Sequence, residues 1–328
     1  MSPTCDPLST YFSSPDFLQL SLRFISILST PIFLLGNYCI LFKTPSQMNS
    51  IKWFMLSLHL IINVFFYSIS VLTIPYLLLP EIAGVIYGDA PLIGLPMSIS
   101  AMIPLIALAL IFMAILSVHE NRFFILCEFG FREKWKFWRR FWWAAHYIAA
   151  FAFQIPIYFL IPNQETAKLI LFKNLPCLPE SIHNSPRTFV LATDISYHHC
   201  YVLTLVTVQV TEIAFYVLQI IRNTRRQSSR MSTKTYQMQK QFFKGLGIQM
   251  LVSTILIAFP IVYIYFVVVL SYYNQAATNF SVIGLTMFGP VFTISMLIVH
   301  KPYRLAIKRL IRKEDNKLRS TIASVGVA

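Results

Sequence analysis

Charge is scarce in this 328-residue chain, where Asp, Glu, Lys and Arg together make up 12%, against about 25% in an ordinary soluble domain. So little charge cannot clothe a water-facing surface, and a freestanding soluble globule is excluded. The motifs of common catalytic chemistry are missing too. There is no His-Glu-x-x-His pair, no Gly-rich phosphate loop, no Gly-x-Ser-x-Gly elbow and no Cys-x-x-Cys. The seven histidines are scattered, and the adjacent His198 and His199 point in different directions on a helix. The chain is therefore read as no enzyme, with no metal and no cofactor.

What is abundant is apolar surface, at 56% hydrophobic and 15% aromatic residues. A hydrocarbon core about 30 Å thick is crossed by about 20 apolar residues in a helix, because each backbone N–H and C=O must find its partner within the segment. Seven runs reach that length, at 17–42, 51–79, 92–118, 137–161, 197–221, 242–270 and 280–299. The expected fold is all-α: a short polar segment (1–16), a seven-helix bundle embedded in the lipid bilayer (17–299), and a tail (300–328). Residues 1–16 lack a basic region followed by a short apolar core and a small-residue cleavage site, so the first span is expected to act as its own insertion signal.

Basic residues set the expected orientation. Of the 27 Lys and Arg, all but Arg23, Lys168, Lys173 and Arg187 fall in alternate connections or in the tail. Positive segments stay in the cytosol, which puts the amino terminus outside and the carboxyl terminus inside. The net charge of +14 then reflects topology and attraction to an anionic inner leaflet. It calls for no nucleic-acid partner.

On this topology Cys39 and Cys127 lie on the reducing side, and Cys5, Cys177 and Cys200 lie outside. Three outer cysteines permit one disulfide. Pro176 and Pro179 mark an irregular, tethered loop around Cys177, which favours Cys5–Cys177, with Cys177–Cys200 as the alternative. The connection 162–196 is the extended polar segment on that face, and a bridge would pin it over the mouth of the bundle.

Inside the spans, Glu212 is the sole acid at depth, and His59 and His146 accompany it. Ionisable groups at such depth mark either function or interhelical bonding. Pro260 and Pro290 each remove a helical hydrogen bond and are expected to act as hinges for spans six and seven. Tyr263, Tyr265 and Phe266 near the outer part of span six are candidates to line a ligand pocket. After span seven, Tyr303, Ile307, Leu310 and Ile311 share one face of a basic helix, which is expected to lie flat on the inner leaflet with that face down.

The third run ends abruptly in His119-Glu-Asn-Arg122. A positive-inside anchor explains Arg122 but not the acid beside it. Taken with Pro75-Tyr76, Pro80-Glu-Ile-Ala-Gly84 and Gly88, then Lys234-Thr235, Gln239-Lys-Gln-Phe242, Ile248-Gln249 and His300-Lys-Pro-Tyr-Arg304, this pattern resembles the nematode serpentine receptors of class H over nearly the whole chain. The resemblance implies a G-protein-coupled chemoreceptor in the plasma membrane of sensory neurons, with an odorant or pheromone-like small molecule and a heterotrimeric G protein as partners. It assigns coupling to Glu120, Asn121 and Arg122 and to Lys301, Pro302, Tyr303 and Arg304, with Arg122 held by Glu120 at rest. Asn121 stands where better-known receptors have the acid of Asp-Arg-Tyr, and Gly289-Pro290 with Lys301-Pro-Tyr303 replaces Asn-Pro-x-x-Tyr. A seven-helix ligand-gated channel or transporter is the other class in play, and Glu212 is its support.

Overall fold

The computed structural model describes residues 10–45, 49–126, 130–176, 178–227 and 233–310. The first span is α1 (Pro15–Lys43), opened by Ser14, whose Oγ accepts from the Phe17 N–H at 3.2 Å, with Pro15 at the first helical position. The second, α2 (Asn49–Tyr67), runs into a π-helical turn (Ser68–Thr73) in which the Thr73 hydroxyl donates to the Ser68 carbonyl, five residues back. Ile74 then takes a left-handed conformation, φ 38°, and ends the helix.

The expected second span therefore stops short of residue 79. Its last apolar residues form β1 (Pro75–Leu77), which pairs antiparallel with β2 (Ile82–Ile86). The chain passes over the end of α2 so closely that a Cβ on Gly88 would sit 2.5 Å from the Leu72 carbonyl carbon. Only glycine fits there.

Helix α3 (Met97–Leu126) is the third span. The fourth is broken into α4 (Arg132–Ala152) and α5 (Ile155–Phe159), with Pro156 in the first turn of the second piece. Beyond it α6 (Gln164–Asn174) leaves at 83°. After α7 (Glu180–His183), β3 (Thr188–Ala192) joins β2 to complete a three-stranded sheet of order β1-β2-β3. The side-chain amide of Gln164 covers the free edge of β3, accepting from Val190 N–H and donating to Val190 C=O, both at 3.0 Å. Helices α8 (Ser196–Gln227), α9 (Thr233–Val269) and α10 (Gln275–Val299) are spans five to seven. Residues 301–310 continue as α11.

Six helices are long and apolar enough to cross a bilayer, and the broken fourth brings the bundle to seven spans. The all-α expectation holds for the spans and omits the small sheet that covers one end. At that end the sheet is bolted to the termini of other elements. The buried Tyr76 hydroxyl donates to the Ser13 carbonyl at 2.8 Å, the Asn279 amide donates to the Phe12 and Ser14 carbonyls, and the Gln275 amide donates to Leu77. Asn279 is fully buried by these bonds.

The middle of the bundle is held by a polar knot. His59 on α2 is fully buried between Asn37 of α1, 2.9 Å from Nδ1, and Thr293 of α10, 3.0 Å from Nε2. Gly36 makes room for it: a Cβ there would lie 2.7 Å from both His59 Nε2 and Thr293 Cγ2. Cys39 and Cys200 are free thiols, which removes the Cys177–Cys200 pairing. Cys5, Cys127 and Cys177 lie outside the described residues, as do Ile311 and the tail beyond it.

Candidate functional site

At the end of the bundle away from the sheet, side chains of α4 converge on the last turns of α3. Glu120 is fully buried. One carboxylate oxygen accepts from Trp135 Nε1–H at 2.8 Å and the other from Arg139 Nη2–H at 2.7 Å, both from α4. The same Nη2 reaches the Asn121 side-chain oxygen at 3.1 Å. The guanidinium of Arg139 is sandwiched between aromatic rings, its central carbon 4.1 Å from the Phe124 centroid and 4.4 Å from that of Trp143.

This corrects the expected Glu120–Arg122 pair. Residues i and i+2 lie about 200° apart around a helix of 3.6 residues per turn, so Glu120 and Arg122 point to opposite sides of α3. Glu120 faces α4. Arg122, half-buried, faces the junction of α9, α10 and α11, close enough to His300 for its charge to oppose protonation there. His300 is buried, 3% exposed, with Nε2 3.1 Å from the Gln249 side-chain oxygen of α9. Burial first, and Arg122 second, push its pKa down from 6.5 to about 4.

The motif that follows docks into the bundle. Tyr303 is fully buried and its hydroxyl lies 2.9 Å from Thr44 Oγ1, just past the end of α1. The Thr44 hydroxyl proton is committed to the Ile40 carbonyl at 2.7 Å, so Tyr303 is the donor. Burial pushes the phenol's pKa up. Ala306 is buried on the same side and Ile307 packs against the core, whereas Leu305 and Leu310 are exposed. Of the face expected on the leaflet, Tyr303 and Ile307 are thus turned inward while Leu310 is exposed. Lys301 and Arg304 are exposed and Pro302 is half-buried. The four tail residues assigned to coupling are therefore divided: Tyr303 is a buried anchor, Pro302 is half-buried, and Lys301 and Arg304 are exposed cations.

Elsewhere the candidates separate. Tyr263 donates to the Asn274 carbonyl at 3.3 Å, at the start of α10, and the Tyr265 hydroxyl lies 3.2 Å from His199 Nε2 on α8. Phe266 is 52% exposed. Pro260 and Pro290 are buried within continuous helices. Pro260 packs beside Gly284, where a Cβ would lie 3.5 Å from its ring, and Gly289 lets α10 meet Phe33 of α1 and Phe66 of α2. Glu212 receives His146 Nε2 at 3.2 Å from each carboxylate oxygen, joining α8 to α4, while Trp142 lies against the imidazole with ring centroids 4.2 Å apart. Both partners remain partly exposed, at 21% and 29% of their side chains. Among the described residues no cluster of His, Cys, Asp and Glu has the form of a metal site.

Missed from sequence are Trp135 and Arg139, and the pairing of Glu212 with His146. Their signal was helical spacing: Trp135, Arg139, Trp142 and His146 recur every three to four residues on one face of α4.

Among characterised proteins, "Serpentine receptor class H-72" of Caenorhabditis elegans is 23% identical over an alignment of 331 residues, covering 98% of this chain and 94% of the relative. The profile described as "Serpentine type 7TM GPCR chemoreceptor Srh" matches residues 13–313, spanning the sheet, the Glu120 cluster and the docked tail alike. The chain is a multi-pass membrane protein that belongs to the Srh family of serpentine chemoreceptors.

Proposed function

We propose that the chain is a chemosensory receptor that binds an external small molecule and activates a heterotrimeric G protein. In this reading the sheet and residues 1–16 face outward, 17–299 form the membrane bundle, and 300–328 lie in the cytosol beside the basic connections. The ligand enters from the sheet side, where Tyr263 and Tyr265 hold α9 to its neighbours α10 and α8. The plasma membrane of sensory neurons is the expected location.

The observation that carries the coupling role is the placement of Arg122. It sits at the basic end, on the side of α3 opposite the Glu120 carboxylate, and next to the α9–α10–α11 junction. Glu120 is engaged by Arg139 and Trp135 on the other side of the helix, so it does not hold Arg122, and a Gα helix approaching as α9 swings about Pro260 would meet the Arg122 side of α3. Lys301 and Arg304 add exposed positive charge beside it.

The test uses the full chain in nanodiscs of phosphatidylcholine and phosphatidylserine, with nucleotide-free heterotrimeric G protein as the probe. Arg122→Ala is expected to weaken binding about tenfold, the loss of one charge-assisted contact. Binding equal to the parent chain would overturn the assignment. Tags at residues 5 and 327, probed in intact and permeabilised cells, check the orientation independently.

A further inference from the structure

Arg139 touches α3 at two azimuths. Its Nη2 bonds both Glu120, at 2.7 Å, and Asn121, at 3.1 Å, and these successive residues lie about 100° apart around the helix. A single bond would let α3 roll; bonds to adjacent positions resist it. Trp135 fixes the second carboxylate oxygen, and the Phe124 and Trp143 rings hold the guanidinium plane. The next residue along α3 is Arg122.

We infer that Arg139 is a positioning residue that sets the rotation of α3 and thereby aims Arg122 at the α9–α10–α11 junction. The inference rests on the coupling role proposed for Arg122. A buried ion pair holds helices together no better than an apolar contact of the same shape, so its burial here is not explained by adhesion. What a flat guanidinium held between two aromatic rings adds is a single orientation. That orientation is transmitted to Arg122 because one rigid turn of helix carries all three residues, Glu120, Asn121 and Arg122.

Arg139→Lys separates the roles. Lysine keeps a positive charge for Glu120 but lacks the flat face that Phe124 and Trp143 hold, so α3 is tethered yet free to roll. Binding of nucleotide-free heterotrimeric G protein to the full chain in nanodiscs is expected to weaken about tenfold. In the Arg122→Ala background the same change is expected to have no further effect, because a residue acting through Arg122 has nothing left to aim. Parent-like binding by Arg139→Lys overturns the inference, and so do losses that multiply in the double variant, which would mean that Arg139 acts by packing alone. If Arg139→Lys does not reach the membrane, Glu120→Gln, uncharged and of the same shape, is read by the same two measurements with the same expected outcome. Parent-like binding by Arg122→Ala removes the coupling face itself, a result distinguishable from failure of the clamp.

Discussion

Acid should loosen the junction where α10 passes into α11, and the effect is traceable to one imidazole. His300 is 3% exposed, its Nε2–H donates to the Gln249 side-chain oxygen, and Arg122 stands nearby. Burial and that charge hold its pKa near 4 in the folded chain, against about 6.5 when exposed. Between those values the unfolded chain binds the proton more readily, so His300 costs nothing above about pH 6.5 and destabilises progressively as pH falls toward 4. The difference amounts to about 3 kcal/mol in full and about 2 kcal/mol at pH 5. The comparison is thermal unfolding of the detergent-solubilised chain at about pH 7.5 and about pH 5, for the parent and for His300→Gln, which keeps a donor for Gln249 but cannot take up a proton. All other titrating groups cancel between the two proteins. The parent is expected to lose several degrees more than the variant on acidification; equal losses would refute the reasoning.

Two further substitutions test the packing. Tyr303→Phe removes the bond to Thr44 and should cost about 1 kcal/mol, while Tyr303→Ala empties a fully buried site and should cost about 3–5 kcal/mol. A tyrosine resting on lipid would give a negligible loss for either, as read by melting temperature. Gly36→Ala drives a methyl to 2.7 Å from His59 and Thr293 and should destabilise by about 1–3 kcal/mol with reduced surface expression. Gly247→Ala, with nothing within 4 Å of its Cβ, should instead be neutral or stabilising through helix propensity.

The spans were legible in sequence because the bilayer demands a length of apolar helix, and composition alone reports that length. The β1–β2 hairpin was not, since Ile74 to Leu79 is as apolar as the helix before it. What ends α2 is the π turn and the left-handed Ile74, and these exist because the sheet, Tyr76 and Ser13 close over them. In α11 the helical period of apolar residues was correct, but Tyr303 and Ile307 pack into the bundle rather than onto the leaflet. An apolar stripe has the same spacing whether it meets lipid or protein, and the space beside Thr44 decided for protein.

The sequence by itself determined a seven-span membrane chain with basic connections on one side, its family, and an acid and an arginine at the end of span three. Each of these is a property of local composition or short spacing. Tertiary structure alone decided the partners. Glu120 meets Arg139 because the helical repeat turns it away from Arg122 and α4 happens to present a cation there. Glu212 meets His146 across α8 and α4, and His59 closes α1 and α10 around α2. A buried charge accepts whichever donor the packing of helices brings within about 3 Å, and that choice is made by residues far apart in the chain.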